Sequence, residues 1–245
     1  MTTFPRAACL LASLLLTAEA SAQPAPAQVS IVPNTLQADT QDPWLYRNSD
    51  IPHDKLWHFG ELPNGLRYAV RKNGVPPGQV SIRIRVDAGS LYETDSERGY
   101  AHLLEHMLFR QSKYLAEGTA IAAFQRLGAT FGSDTNAQTT PTETVFKLDL
   151  PNATAGSLDE TFKLMSGMVT APTLSAANLK QDLPIVMAEM RERGGAAKRV
   201  QDAMQQIFYA GQPLAEREPI GTVASLTAAT PQSVRAFYTR WYRPD

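Results

Sequence analysis

The chain has 245 residues, with 23 Lys and Arg against 24 Asp and Glu and a formal net charge of -1, so no basic excess points to nucleic acid or an anionic membrane surface. Hydrophobic residues at 43% and charged residues at 19% describe a globular chain and exclude a disordered one. No apolar run reaches the roughly 18–20 residues that span a bilayer, no heptad repeat supports a coiled coil, and one cysteine excludes a disulfide scaffold.

Residues 1–22 have the form of a secretory signal peptide. Arg6 supplies the positive start, residues 7–18 form a short apolar core, and Ala20-Ser21-Ala22 matches a small-x-small cleavage site, with the cut after Ala22. An exported protein of the bacterial periplasm is expected. The cut removes Cys9, so chemistry in the remaining chain falls to His, carboxylates, hydroxyls or a cofactor. Residues 23–54 are rich in Pro, Ala, Gln and Thr and read as a flexible export linker.

Ordered structure is expected from residue 55 to 245. Leu-Pro-Asn-Gly at 62–65 predicts a turn leading into a strand over 66–70. Val80, Ile82, Ile84 and Val86 alternate with Ser and Arg, which predicts a strand with one buried face. A polar loop over 87–99 precedes a helix over 100–109, and a second helix is predicted over 119–127, stopped by Gly128. Residues 144–150 alternate again as a strand. Helices are predicted over 158–170, 175–193, 201–208 and 230–241. Short, hairpin-compatible strands among helices indicate an α+β fold rather than a doubly wound α/β one.

The stretch His102-Leu103-Leu104-Glu105-His106 carries the chemistry. Two His four positions apart lie one helical turn apart on one face, so both imidazoles can reach one ion. Glu105 shares that polar side, while Leu103, Leu104, Met107 and Leu108 point into the core. This is the spacing of a catalytic zinc site, with two neutral nitrogens and a carboxylate able to touch a bound water. The chain has only four His, so a chance pair on an ordinary amphipathic helix is a poor alternative. Zinc requires a third ligand, and without Cys or a further downstream His it must be Asp or Glu. Asp182, Glu189 and Glu192 on the long helix are the candidates. Glu189 sits at the edge of an apolar stripe with Ile185, Val186 and Met190, whereas Glu192 lies between Arg191 and Arg193 on a charged face. Glu189 is therefore assigned as ligand, and Asp182, two turns earlier on the same side, as an acceptor for a ligating imidazole.

Residues 99–109 with that motif resemble the signature of the inverzincins, the insulinase/pitrilysin zinc peptidases that include mitochondrial processing peptidase. Further blocks are similar in the family's order: Asn64-Gly65-Leu66-Arg67-Tyr68, Ala88-Gly89-Ser90 with Glu93, Asn136-Ala137, Ile185-Val186-Met187-Ala188-Glu189, Pro219-Ile220-Gly221 and Trp241-Tyr242-Arg243-Pro244-Asp245. The resemblance covers about residues 55–245 and is strongest to exported bacterial pitrilysin-like proteins. It implies a mostly antiparallel sheet packed against helices, and a zinc endopeptidase with one Zn2+ per chain. It further implies His102, His106 and Glu189 as ligands, Glu105 as general base, and Asn136 and Ala137 as contacts to substrate backbone. An edge strand following Asn136 would pair with the peptide.

Three departures from the family pattern stand out. The interval from His106 to Glu189 is longer than usual, Asp182 replaces the common Glu, and Pro184 predicts a kink or restart in the ligand helix. The resemblance also implies a domain incomplete at its C-terminus, with a homologous second half, in the same protein or a partner subunit, closing over a peptide or small-protein substrate. A non-catalytic, zinc-containing peptide-binding or partner subunit is the alternative from another class. A third reading, a small-molecule lyase with an inverted motif, relies on a Cys that the chain lacks after cleavage.

Overall fold

The structure, a computed structural model, describes residue 50 and residues 54–244. The expected signal peptide and nearly all of the expected linker fall outside these residues.

The clearest alternating segments pair as expected. Strand β3 (Val80–Val86) lies antiparallel to β5 (Thr144–Leu150), with Val80 opposite Leu150 and Val86 opposite Thr144. Ile82, Val86, Phe146, Leu148 and Leu150 are buried, while Arg83 and Asp149 form an ion pair at 2.9 Å. Strand β4 (Thr135–Thr139) lines the other side of β5, giving the order β3-β5-β4 with β4 outermost. Its sequence, Thr-Asn-Ala-Gln-Thr, has no apolar alternation, so sequence reading placed the strand after Asn136 rather than through it.

A second, two-stranded sheet is formed by β1 (Trp57–Glu61) and β2 (Arg67–Arg71), joined by the predicted Asn-Gly turn. Asn64 Oδ1 accepts the Leu66 N–H at 3.2 Å there.

Seven α-helices occur among the described residues: α1 (Tyr100–Arg110), α2 (Ala120–Arg126), α3 (Ala155–Thr170), α4 (Ala176–Glu192), α5 (Ala196–Phe208), α6 (Val223–Thr227) and α7 (Pro231–Trp241). Side-chain caps set several starts. Thr154 and Ser157 cap α3 reciprocally and bring its start three residues earlier than the predicted 158. Ser175 Oγ accepts the Asn178 N–H at 3.1 Å at the start of α4, and Thr230 and Ser233 cap α7. The helix restart expected at Pro184 does not occur: α4 is a single helix through that residue. Pro184 and Lys180 are both exposed, so the carbonyl left unpaired by the missing N–H meets water rather than the core.

Helix α1 is the centre of the fold and packs on α3, α4, α7, β4 and β5. Its Leu103, Leu104, Met107 and Leu108 are fully enclosed, with Phe146, Leu148 and Phe237 in the same core. The architecture is α+β, with antiparallel sheets packed by helices, as the alternation of elements indicated. No described helix is long and apolar enough to cross a membrane.

Candidate metal centre

The first turn of α1 is held from outside the helix. Gly99 adopts a left-handed conformation, with φ of 94°, and offers no side chain to cap the exposed N–H groups. Glu93 does so instead: its carboxyl oxygens accept the Gly99 and Ala101 N–H groups, each at 2.9 Å. Glu93 is fully buried, and burial pushes its carboxyl up to about 8 against the downward pull of Ala101, Gly99 and Arg217. Sequence reading noticed Glu93 only inside a resembling block, because a cap reaching forward across a loop leaves no spacing rule.

With α1 locked, His102, Glu105 and His106 fall on its polar side, the histidines facing α4 and Glu105 reaching toward β4. His102 is buried, while Glu105 and His106 are half-buried. Glu189 of α4 comes between the imidazoles. Its Oε2 lies 3.5 Å from His102 Nε2, and its Oε1 lies 3.4 Å from His106 Nε2. The three ligand atoms all lie within 4.8 Å of one another. Glu192, the alternative carboxylate, is exposed at the end of α4 and is not part of this group.

The two carboxylate–imidazole separations fit a tetrahedral ion, for which metal–ligand distances of about 2.0–2.2 Å place neighbouring donors about 3.3–3.6 Å apart. Electrostatics fit as well. Burial, then His106 and Arg193, lower His102 to about 3, so its imidazole is neutral at physiological pH. His106 is also lowered, chiefly by burial, with Glu189 and Asp182 opposing. Neutral nitrogen is the form a metal binds. The donor set, two imidazoles and a carboxylate with no thiol, suits zinc with an open position.

Glu105 is a different kind of carboxylate from Glu189. Burial raises it, Glu189 adds to the rise, and a hydrogen bond from Thr139 opposes it. Thr139 Oγ1 donates to Glu105 Oε2 at 2.5 Å. Arg193, one turn beyond Glu189, reaches within 3.6 Å of Glu189 Oε2. Neither Thr139 nor Arg193 was singled out from sequence as part of the site, since each joins through tertiary contact.

Asp182 has a different partner from the one expected. It is buried, but its Oδ1 accepts from Arg110 Nε at 2.8 Å and Nη2 at 2.5 Å rather than from an imidazole. Its Oδ2 and His102 Nδ1 have no hydrogen-bond partner among the described residues. Asp182 thus ties the end of α1 to the middle of α4, the two helices that carry the histidines and Glu189. Arg110→Ala should strand a buried carboxylate and destabilise the fold by about 3–5 kcal/mol, read as a lower midpoint in urea unfolding.

Asn136 lies within β4 on its exposed side, while Thr135, Ala137 and Thr139 alternate toward α1. Its Nδ2 donates to Gly132 O at 3.3 Å, and its Oδ1 accepts the Ala137 N–H at 2.9 Å.

A family model for insulinase, peptidase family M16, matches residues 68–218. The chain belongs to this family. It is 33% identical over 195 residues to the probable zinc protease PqqL of Escherichia coli, covering 80% of this chain and 21% of that protein. Its counterpart in Haemophilus influenzae is 34% identical, with 82% and 22% covered. The chain therefore spans about a fifth of these curated relatives. The fold superimposes on the crystal structure of the periplasmic protease PqqL from Escherichia coli with a TM-score of 0.76, covering 79% of this chain and 21% of that one. Against the first half of the same protein the TM-score is also 0.76, with 42% of that chain covered. Pitrilysin, at 21% identity and a TM-score of 0.63, shares the fold, covering 76% of this chain and 20% of that one.

Proposed function

We propose that this M16 chain carries the metal-binding part of an exported zinc endopeptidase. The observation that supports the reading most directly is the convergence of His102, His106 and Glu189 at donor spacing beside a separately held carboxylate, Glu105. His102, His106 and Glu189 would hold the ion. A zinc ion in that position supplies an acidified water and a polarised scissile carbonyl, with one net positive charge left after Glu189 is counted.

Glu105 takes a proton from the attacking water as the water oxygen bonds to the carbonyl carbon and the π pair moves to the carbonyl oxygen. It then returns that proton to the amide nitrogen as the C–N bond breaks, giving an amine and a carboxylic acid. Burial suits Glu105 to the first transfer, because a carboxylate whose charged form is disfavoured by burial is a stronger base. Substrate backbone would lie along outer strand β4, where Asn136 and Ala137 sit, by strand addition.

Residues 55–245 form the peptidase N-terminal unit in this reading, preceded by the signal peptide at 1–22 and the linker at 23–54. Export agrees with the description of the Escherichia coli relative as periplasmic. A homologous second half or partner subunit completes the substrate enclosure. The chain purified from residue 23 should bind about one zinc, and a fluorogenic peptide should be cleaved, with loss on chelation and recovery on adding zinc. Zinc bound without cleavage, alone or with a homologous second half, would favour the partner-subunit reading. Failure of the folded chain to bind zinc would overturn both.

A further inference from the structure

We propose that Thr139 is a positioning residue for Glu105, an assignment that rests on the peptidase reading above. The Thr139 hydroxyl donates to Glu105 Oε2 at 2.5 Å, the length of a charge-assisted O–H···O⁻ bond. A glutamate side chain has three rotatable bonds, and α1 fixes only its Cα, so some other group must hold the carboxylate in one orientation.

Thr139 is well placed for that task because its own backbone is constrained from three sides. It is the last residue of β4, opposite Thr144 of β5. The turn beyond it is closed by Thr140 N–H to Glu143 O at 2.8 Å. Thr140 Oγ1 also accepts the N–H groups of Thr142 and Glu143 at 3.3 and 3.2 Å.

The loop before α1 then clamps this turn. Ser90 N–H donates to Thr140 O at 3.2 Å, and Leu91 N–H donates to Pro141 O at 2.9 Å. Gly89 allows that approach: a Cβ on it would lie 2.0 Å from Thr140 O and 2.8 Å from Glu143 N. The same loop continues to Glu93, which caps α1. One segment therefore fixes both partners of the Thr139–Glu105 bond, the helix on one side and the strand end on the other. A geometry built this way is set before substrate arrives, as a proton-transfer group requires.

Thr139→Val keeps the shape and removes the hydroxyl, and Thr139→Ser keeps the hydroxyl and removes the methyl. In the zinc-loaded protein, Thr139→Val should lower kcat about 10- to 100-fold, with KM and zinc content unchanged, and Thr139→Ser should recover most of the loss. A readout independent of turnover is the infrared carboxylate band that disappears in Glu105→Gln. That band should shift in Thr139→Val and return in Thr139→Ser. Thr139→Ala replaces the Val variant in both measurements if Val does not fold.

An unshifted band in the hydroxyl-free variant overturns the assignment, as does a wild-type kcat. An equal loss in the Ser and Val variants also overturns it, because the methyl packing would then be responsible. Absence of hydrolysis by the wild-type chain, both alone and with a homologous second half, overturns the peptidase reading instead, and the infrared band still decides whether Thr139 orients Glu105.

Discussion

Glu105→Gln is expected to leave zinc bound and to lower kcat by about 100- to 10,000-fold, the range over which a positioned acid–base group contributes. Glutamine has nearly the same shape, and its amide oxygen can still accept from Thr139 Oγ1, so the variant should fold and keep Glu105's place beside β4. What it lacks is the ability to take a proton. Glu105 is outside the His102, His106 and Glu189 group, so metal content should not follow activity downward. Parallel measurement of zinc by atomic absorption and of peptide hydrolysis separates the two properties. Retention of most activity would remove Glu105 from the mechanism.

The opposite dissociation is expected at Glu189. Glu189→Gln replaces a carboxylate that faces both imidazoles, at 3.4 and 3.5 Å, with a neutral amide. Changes to groups that only orient ligands cost about 10- to 100-fold in metal affinity, and loss of one of three ligands should exceed that. Zinc affinity is therefore expected to fall by more than about 100-fold, with hydrolysis lost at ordinary zinc concentrations. Competition with a chromophoric chelator measures the affinity directly. Glu192→Gln is the control, since Glu192 is exposed and outside the group, and it should bind zinc like the wild type. Equal losses in the two variants would mean that the charge of the α4 terminus, rather than ligation by Glu189, holds the ion.

The metal helix was legible from local pattern alone. Two His four residues apart, with apolar residues filling the other side, require only helical periodicity, and α1 forms within one residue of the predicted bounds. Strands β3 and β5 were legible for the same reason, because alternation of buried and exposed side chains is written in neighbouring residues. Glu189 was narrowed to by its place at the edge of an apolar stripe, and the structure brings it to both histidines.

Strand β4 was misplaced by sequence because its five residues are polar and its strand character comes from pairing with β5. Asp182 shows the same limit. Its spacing from Glu189 put it on the correct side of α4, but its Arg110 partner comes from another helix. Glu93 and Thr139 went unassigned because each acts beyond its own element, Glu93 across a loop on the start of α1 and Thr139 from β4 on Glu105, 34 residues away.

The sequence by itself determined the helix that presents two imidazoles and a carboxylate, the alternating strands and the α+β class, since each follows from short-range periodicity and side-chain chemistry. Only the tertiary structure decided how far Glu189 stands from the histidines, which group holds Glu105 and what Asp182 binds. Those outcomes depend on the packing of α1 against α4 and β4, whose contacting residues are far apart in the chain.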